Sequence, residues 1–305
     1  MKNRTNYIAI SLTILILSAV FLGILYAQNA NRGLSVSPSN FEISANPGDQ
    51  VVKSITLQNL TDQDFDIGVD RRNFTAKGEE GSVDLTTNDT GFALSSWISV
   101  TPTRTNIPSN GKTTFRLTVS IPKNAEPGGH FGSIVFRTIP KANLNQTGAL
   151  LSQEIGALLL VKVAGEVKEN AAMEEFSANK MFYEWGPVTF TARIKNDSLV
   201  HIKPEGSIVI EGMFGQKDSI AFDTRNVLPQ ATRKILTTWN KSLLIGKYKA
   251  NILLVYGDHN QTIAATTEFW AFPVRLFLIL LVVLFLLFLM RKRLGRSLKI
   301  LFTGK

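Results

Sequence analysis

The chain has 305 residues, a formal charge of +9 and no cysteine. The missing thiols exclude a disulfide framework, a cysteine zinc cluster and a thiol nucleophile. The charge does not make it a nucleic-acid binder, because residues 28–274 hold 24 basic and 24 acidic side chains and the surplus lies at the two ends.

Met1 to Ala30 has the parts of an export signal. Lys2 and Arg4 precede an apolar run from Tyr7 to Tyr26, and Leu25-Tyr-Ala27 offers a cleavage site. The run is long for a cleaved signal, so a cleaved peptide and an uncleaved signal anchor both stay open. From Leu34 the hydrophobic period becomes two. Phe41 and Ile43 alternate with Glu42 and Ser44, Asn46-Pro-Gly-Asp49 turns, and Ile55 and Leu57 form the next strand before an Asn59 turn. Phe65, Ile67 and Val69 follow, then residues 76–93 read as a loop or weak edge strands. Trp97-Ile-Ser-Val100 is another strand, and Ser109-Asn-Gly-Lys112 predicts a hairpin. Phe115, Leu117, Val119 and Ile121 share one face of the cleanest strand. Asn124 to Gly132 leads into Ser133–Thr138, and Ala157–Val163 ends the first module.

Residues 166–176 are charged and read as a linker or one helical turn. Alternation resumes at Val188–Ile194, at Ile208 and Ile210, at Ile235 and Thr237, and from Ala250 to Phe269. The halves rhyme. Ile55–Thr61 and Thr191–Ser198 each end a strand in an Asn turn, and Ile107–Lys112 and Val227–Arg233 each place a Pro turn before a strand. The expected fold is all-β: two tandem immunoglobulin-like β-sandwich domains, residues 31–165 and 177–269, behind an N-terminal signal or anchor segment, residues 1–30. Trp270 to Met290 reads as a C-terminal transmembrane helix. The 20 residues from Ala271 to Met290 span about 30 Å, enough to cross a hydrocarbon core. Trp270, Arg275 and the Arg291-Lys292-Arg293 run are its expected membrane-anchor residues, and residues 291–305 its basic cytoplasmic tail. The localisation that follows is the cell membrane, single-pass with the ectodomain outside, or two-pass if the first segment is kept.

The order of these features resembles the WxL-interacting-protein family. The likeness is carried by the Asn-Pro-Gly-Asp turn, by Trp97–Val100 and by Pro127-Gly-Gly-His-Phe-Gly-Ser-Ile-Val-Phe136, followed by a second sandwich and a C-terminal span. It implies a first domain that binds peptidoglycan and a second that binds host or surface partners. No catalytic or ligand-contact residue comes with it.

Few residues suggest chemistry. His130, His201 and His259 lack metal-ligand spacing, so no metal or other cofactor is expected. Ser109–Lys112 and Ser177–Lys180 match a Ser-x-x-Lys spacing without the helix that chemistry needs. Gly128, Gly129, His130 and Phe131 are the sharpest local feature. They read either as a surface ligand site or as a bulged strand start with Phe131 in the core. Seven Asn-x-Ser/Thr triplets in the region expected outside, including those at Asn59, Asn73 and Asn196, fit a eukaryotic acceptor pattern. The expectation is a non-enzymatic, membrane-anchored adhesion-type surface protein. Its partners would be cell-wall polymer or a surface protein, and the lipid bilayer through its helix, with no nucleic acid. The alternative is an accessory scaffold or chaperone-like subunit of a membrane protein complex.

Overall fold

A computed structural model describes residues 33–88, 91–140 and 152–303, with side chains described as far as Arg291. The signal segment and the basic tail beyond Arg291 therefore fall outside the described side chains. Eighteen strands precede a single described helix.

The chain folds as two compact units. One comprises residues up to Asn73, with Thr86–Glu126 and Phe131–Val161. The other comprises Phe74–Leu85, Pro127–His130 and everything from Lys162 onward.

The first sandwich begins with β1 (Leu34–Ser37), β2 (Asn40–Ala45), β3 (Gln50–Asn59), β4 (Phe65–Lys77) and β5 (Ser82–Thr86). A 3-10 turn at Ser95–Trp97 leads to β6 (Ile98–Thr101), β7 (Arg104–Ile107), β8 (Lys112–Ser120), β9 (Gly128–Ile139) and β10 (Glu154–Val163). Two sheets form, in the orders β1-β3-β8-β6 and β2-β10-β9-β4-β5, with β7 added to β4. Alternation decides which face is inside: Ile55, Leu57, Phe115, Leu117 and Val119 are fully buried while their neighbours along each strand reach water. Phe115 meets Phe136 of the opposing sheet with ring centroids 4.8 Å apart, which knits the two layers.

The second sandwich is built from β11 (Ala171–Ala178), β12 (Phe182–Tyr183), β13 (Val188–Asn196), β14 (Glu205–Gly212), β15 (Lys217–Ala221), β16 (Ala231–Trp239), β17 (Gly246–Tyr256) and β18 (Gln261–Ala271). Its sheets run β11-β13-β16 and β12-β18-β17-β14-β15. Phe269 is the hub of its core, with Tyr183, Phe190 and Tyr248 at centroid distances of 5.3, 6.0 and 5.3 Å.

A buried asparagine pins the same corner in both sandwiches. Asn59 Nδ2 donates to the carbonyls of Gln63 (2.6 Å) and Pro108 (3.0 Å), while its Oδ1 accepts from Thr61 N (3.0 Å). Asn196 Nδ2 donates to Val200 O (2.8 Å) and Val227 O (2.9 Å), and its Oδ1 accepts from Ser198 N (3.0 Å) and the Ser198 hydroxyl. Each side chain ties the end of one strand, β3 or β13, to the chain that enters the next strand of the same sheet, β8 or β16. Asn59 and Asn196 are fully buried and Asn73 is nearly so, with its Oδ1 held by the amides of Leu94 and Ser95. Their occupied amide groups leave these three triplets unfit as modification acceptors in the folded chain.

Several expectations change. Ser109–Lys112 is not a hairpin, because β7 pairs with β4 whereas β8 pairs with β3 and β6. It is a corner between sheets, and Asn110, not Gly111, takes the positive φ. The linker gives way at Ala171 to β11. Only Phe176 of β11 is buried, and a bulge between Met173 and Glu175 breaks its alternation, which is why it reads as irregular. The helix α1 (Val274–Thr303) starts later and ends later than the expected span. Trp270 and Ala271 finish β18 in register with Lys247 and Gly246, and Pro273 closes the strand before the first helical turn.

Candidate strand-addition edge

The two sandwiches match strand for strand except at β6 and at β7, whose place is taken by a single bridge. The order β2-β10-β9-β4-β5 has its counterpart in β12-β18-β17-β14-β15, and β1-β3-β8 in β11-β13-β16. The fourth strand of the first sandwich, β6, has no counterpart among the described residues. The cause is connection length. Residues 87–103 separate β5 from β7 and include β6, whereas only residues 222–226 separate β15 from Val227, which bridges to Ile202 much as β7 pairs with β4. A short crossing leaves no chain to lay down the extra strand.

The edge of β16 is therefore a sheet terminus. The buried asparagines and the shared positive φ of Asn110 and Gln230 set the correspondence: Gly111 falls on Ala231, and Arg116 to Val119 fall on Leu236 to Trp239. Those four positions of β8 are the ones β6 pairs with, from Thr101↔Arg116 to Ile98↔Val119.

Backbone direction on β16 follows from one bond. Lys234 N donates to Glu79 O (2.8 Å), away from β13. Backbone groups alternate sides along an antiparallel strand, so Leu236 and Thr238 also point their N–H and C=O outward. The Leu236 side chain is 51% exposed on the same strand, and Thr238 Oγ1 lies 3.2 Å from Thr189 Oγ1 across the sheet. On the inner face the Thr237 hydroxyl accepts from Asp223 N (3.2 Å), so the short crossing is held without using the outward groups.

Charge frames this edge. Arg193 donates from Nε and Nη2 to both oxygens of Glu79 (2.7 and 2.6 Å), fixing the turn whose carbonyl receives Lys234. That hydrogen bond holds the Glu79 carboxyl below the usual glutamate range. Arg233 donates to Asn226 O (2.8 Å), and burial, reinforced by Arg225, pulls its guanidinium down from the ordinary arginine value. At the far end Lys241 sits 5.4 Å from the centre of the Trp239 ring and pairs with Asp218 at 2.8 Å. Another terminal strand of this sandwich, β15, is five residues of mixed charge and is blunted by Lys217 and Asp218.

The sequence-predicted site residues lie elsewhere. Gly128 to Phe131 open β9, and all four are buried. Phe131 is 2% exposed, donates its amide to Phe92 O (2.7 Å) and packs a tilted ring 6.1 Å from Phe92. Gly128 has φ +128°, and a Cβ there would come within 3.0 Å of Leu199 O. Gly129 N donates to that same carbonyl (2.8 Å). The glycines admit the Leu199 backbone, and the burial of His130 and Phe131 fits the strand-start reading with Phe131 in the core and not an exposed platform.

The expected anchor residues also divide. Trp270 is a half-exposed strand residue paired with Phe182. Arg275 lies in the first turn of α1, its amide 2.8 Å from Glu184 Oε1 and its Nε 3.3 Å from Glu184 Oε2. Arg291 lies over the Phe288 ring at 4.1 Å. Lys292 and Arg293 are helical, in the part whose side chains are not described. By length and composition Val274–Arg291 is apolar enough to cross a membrane, and it is unburied. Among the described residues no cluster of three or more His, Asp or Glu is placed to hold a metal.

No family model and no curated relative matches the sequence. Among solved structures, the chain is similar to the class 5 fimbrial chaperone CfaA, with a TM-score of 0.41, 13% identity, and coverage of 77% of this chain and 99% of that one. It is similar to a chain of the CsuC–CsuE chaperone–tip adhesion subunit pre-assembly complex of Acinetobacter baumannii pili (TM-score 0.37, 13% identity, 79% and 99% covered). A third is the Salmonella enterica SafA pilin in complex with the SafB chaperone (TM-score 0.39, 8% identity, 78% and 98% covered). These findings correct four expectations. Membership of the WxL-interacting-protein family has no matching family model behind it, and the similar structures are fimbrial chaperones. Peptidoglycan binding and adhesion are withdrawn with it, as is the pairing of wall polymer and bilayer as partners. The single-pass cell-membrane localisation is withdrawn too, because one helix of suitable length and composition is weak support for it.

Proposed function

We propose that this protein is a non-catalytic, chaperone-like accessory protein that holds an extended segment of another protein subunit by strand addition. The observation that carries this reading is the second sandwich's three-stranded sheet, which ends at β16 where its sister sheet has a fourth strand. An open edge with outward amide and carbonyl groups is a template for a further strand, and main-chain pairing supplies affinity without any reactive side chain. The partner is a structural subunit, the kind of protein that SafB accompanies in its complex with the SafA pilin.

The test is photocrosslinking in the native cell from position 236, in full-length protein. We expect one crosslinked partner, with the crosslinked site in an extended segment, and a fall in that partner's abundance when this protein is deleted. A partner whose abundance does not depend on this protein would count against the chaperone role.

A further inference from the structure

The sister sheet specifies what the missing strand should look like, and this inference rests on the strand-addition reading. In the first sandwich β6 runs antiparallel to β8. Ile98 (1% exposed) and Val100 (6%) point inward, and Ser99 and Thr101 point to water. Transferring that register to β16 sets four partner positions opposite Trp239, Thr238, Thr237 and Leu236 in turn.

Directly opposed residues on antiparallel strands share a face. Trp239 and Thr237 are buried on the inner face, so the first and third positions of the partner point towards the core. Thr238 and Leu236 lie on the outer face, so the second and fourth positions point outward beside a hydroxyl and a half-exposed leucine. The turn at Glu79 already holds the amide of Lys234 and stops any longer pairing at that end.

We infer that Leu236–Trp239 takes a short antiparallel strand from another subunit, with the pattern apolar, hydroxyl, apolar, apolar. Two outward residues, Leu236 and Thr238, supply all the main-chain bonds. So short a strip falls well below the roughly 1,000 Å² that a stable symmetric dimer buries, which selects a donated segment over a second copy of this chain. The segment belongs to a subunit held by further contacts, and the edge serves to register it.

The chain has no cysteine, so disulfide trapping reads this register directly. Full-length Thr238→Cys protein, kept in mild detergent, is incubated in a glutathione buffer with the peptide Ser-Ile-Cys-Val-Leu-Ser. A permuted peptide, Ser-Cys-Ile-Leu-Val-Ser, whose cysteine is moved by one residue to an inward position, serves as the register control. Leu253→Cys, exposed on the inner strand β17 and paired on both sides, gives the background. We expect at least tenfold more trapping with the first peptide than with the permuted one. Adding Leu236→Pro, which deletes an outward N–H and leaves the ladder to β13 whole, should cut it at least tenfold.

Equal trapping of both peptides, or trapping indifferent to Leu236→Pro in a folded protein, overturns the register. Trapping at Lys217→Cys on β15 in place of Thr238→Cys overturns this site and leaves the strand-addition reading standing. No trapping above background at either edge overturns both. Dimerisation of the wild-type chain that Leu236→Pro abolishes would assign the edge to a second copy and also overturn the inference.

Discussion

Asn196→Ala should be the most damaging single polar substitution in the second sandwich. The side chain is fully buried and makes two donor bonds, to Val200 O and Val227 O, while accepting from the amide of Ser198. Alanine leaves two buried carbonyls and one amide without their side-chain partner. A buried group stripped of its partner costs about 1–3 kcal/mol, and allowing for relaxation of the corner the sum is about 3–4 kcal/mol. With a urea slope of about 2 kcal/mol per molar, the unfolding midpoint should fall by about 1.5–2 M. The assay is urea unfolding of the full-length chain followed by fluorescence, with Trp239, buried beside Tyr248, reporting on this sandwich. Asn59→Ala should act similarly on the first sandwich while leaving the Trp239 signal nearly unmoved. A loss below about 1 kcal/mol for Asn196→Ala would refute the claim that this bond set fixes the corner.

Phe131→Ala removes a buried ring and should cost about 3–5 kcal/mol by thermal or urea unfolding; a folded protein of unchanged stability would revive the surface-site reading of that stretch. Gly128→Ala combines a positive φ with a Cβ pressed on Leu199 O and should lower stability by more than about 1 kcal/mol, measured the same way. Lys162→Met strands the carboxylate of Glu169, which is 3% exposed and otherwise bound at 3.1 Å by Lys162 and at 2.8 Å by Asp258 N, and should cost about 2–4 kcal/mol. Burial lowers the Lys162 pKa, but Asp258 and Glu169 together outweigh it and leave the group raised. Its stabilisation is therefore complete below the ordinary lysine value and fades as pH climbs through the raised one, so Lys162→Met should flatten the alkaline limb of the stability profile. Glu79, lowered by Arg193, behaves in the opposite sense. Its contribution holds above the ordinary glutamate value and is lost on acidification through the lowered one, and Arg193→Leu should return its titration, followed by NMR, to the ordinary range.

The sandwiches were legible where one face of a strand meets water. β8 and β13 alternate cleanly because each has one solvated face, and their buried residues can be named from the period alone. The Asn corners were legible too, since the side chain and the chain it ties lie near turn residues in both halves. β9 was not. Residues 128 to 136 are buried without a break, so no alternation marks where the strand starts, and Gly128–Phe131 read either as a surface site or as a bulged strand start with Phe131 in the core. β11 hid behind a bulge, and α1 absorbed strand residues because Trp270 and Ala271 are as apolar as the helix that follows. The candidate edge could not be read at all. Its signal is a connection too short to hold a strand, and that acquires meaning only beside the longer one in the sister sandwich.

The join between β18 and α1 has a mechanical consequence. Only Phe272 and Pro273 lie between them, and Phe272 N is held by Tyr183 O at 2.9 Å while Arg275 is clasped by Glu184. There is no slack to pay out. Tension on the helix passes straight into the last strand and loads its ladder with β17, paired from Gly246↔Ala271 to Tyr256↔Gln261, along the strand axis. Rungs pulled in that direction must break together and not one at a time, so a tug on the helix should leave the second sandwich intact until the whole ladder shears.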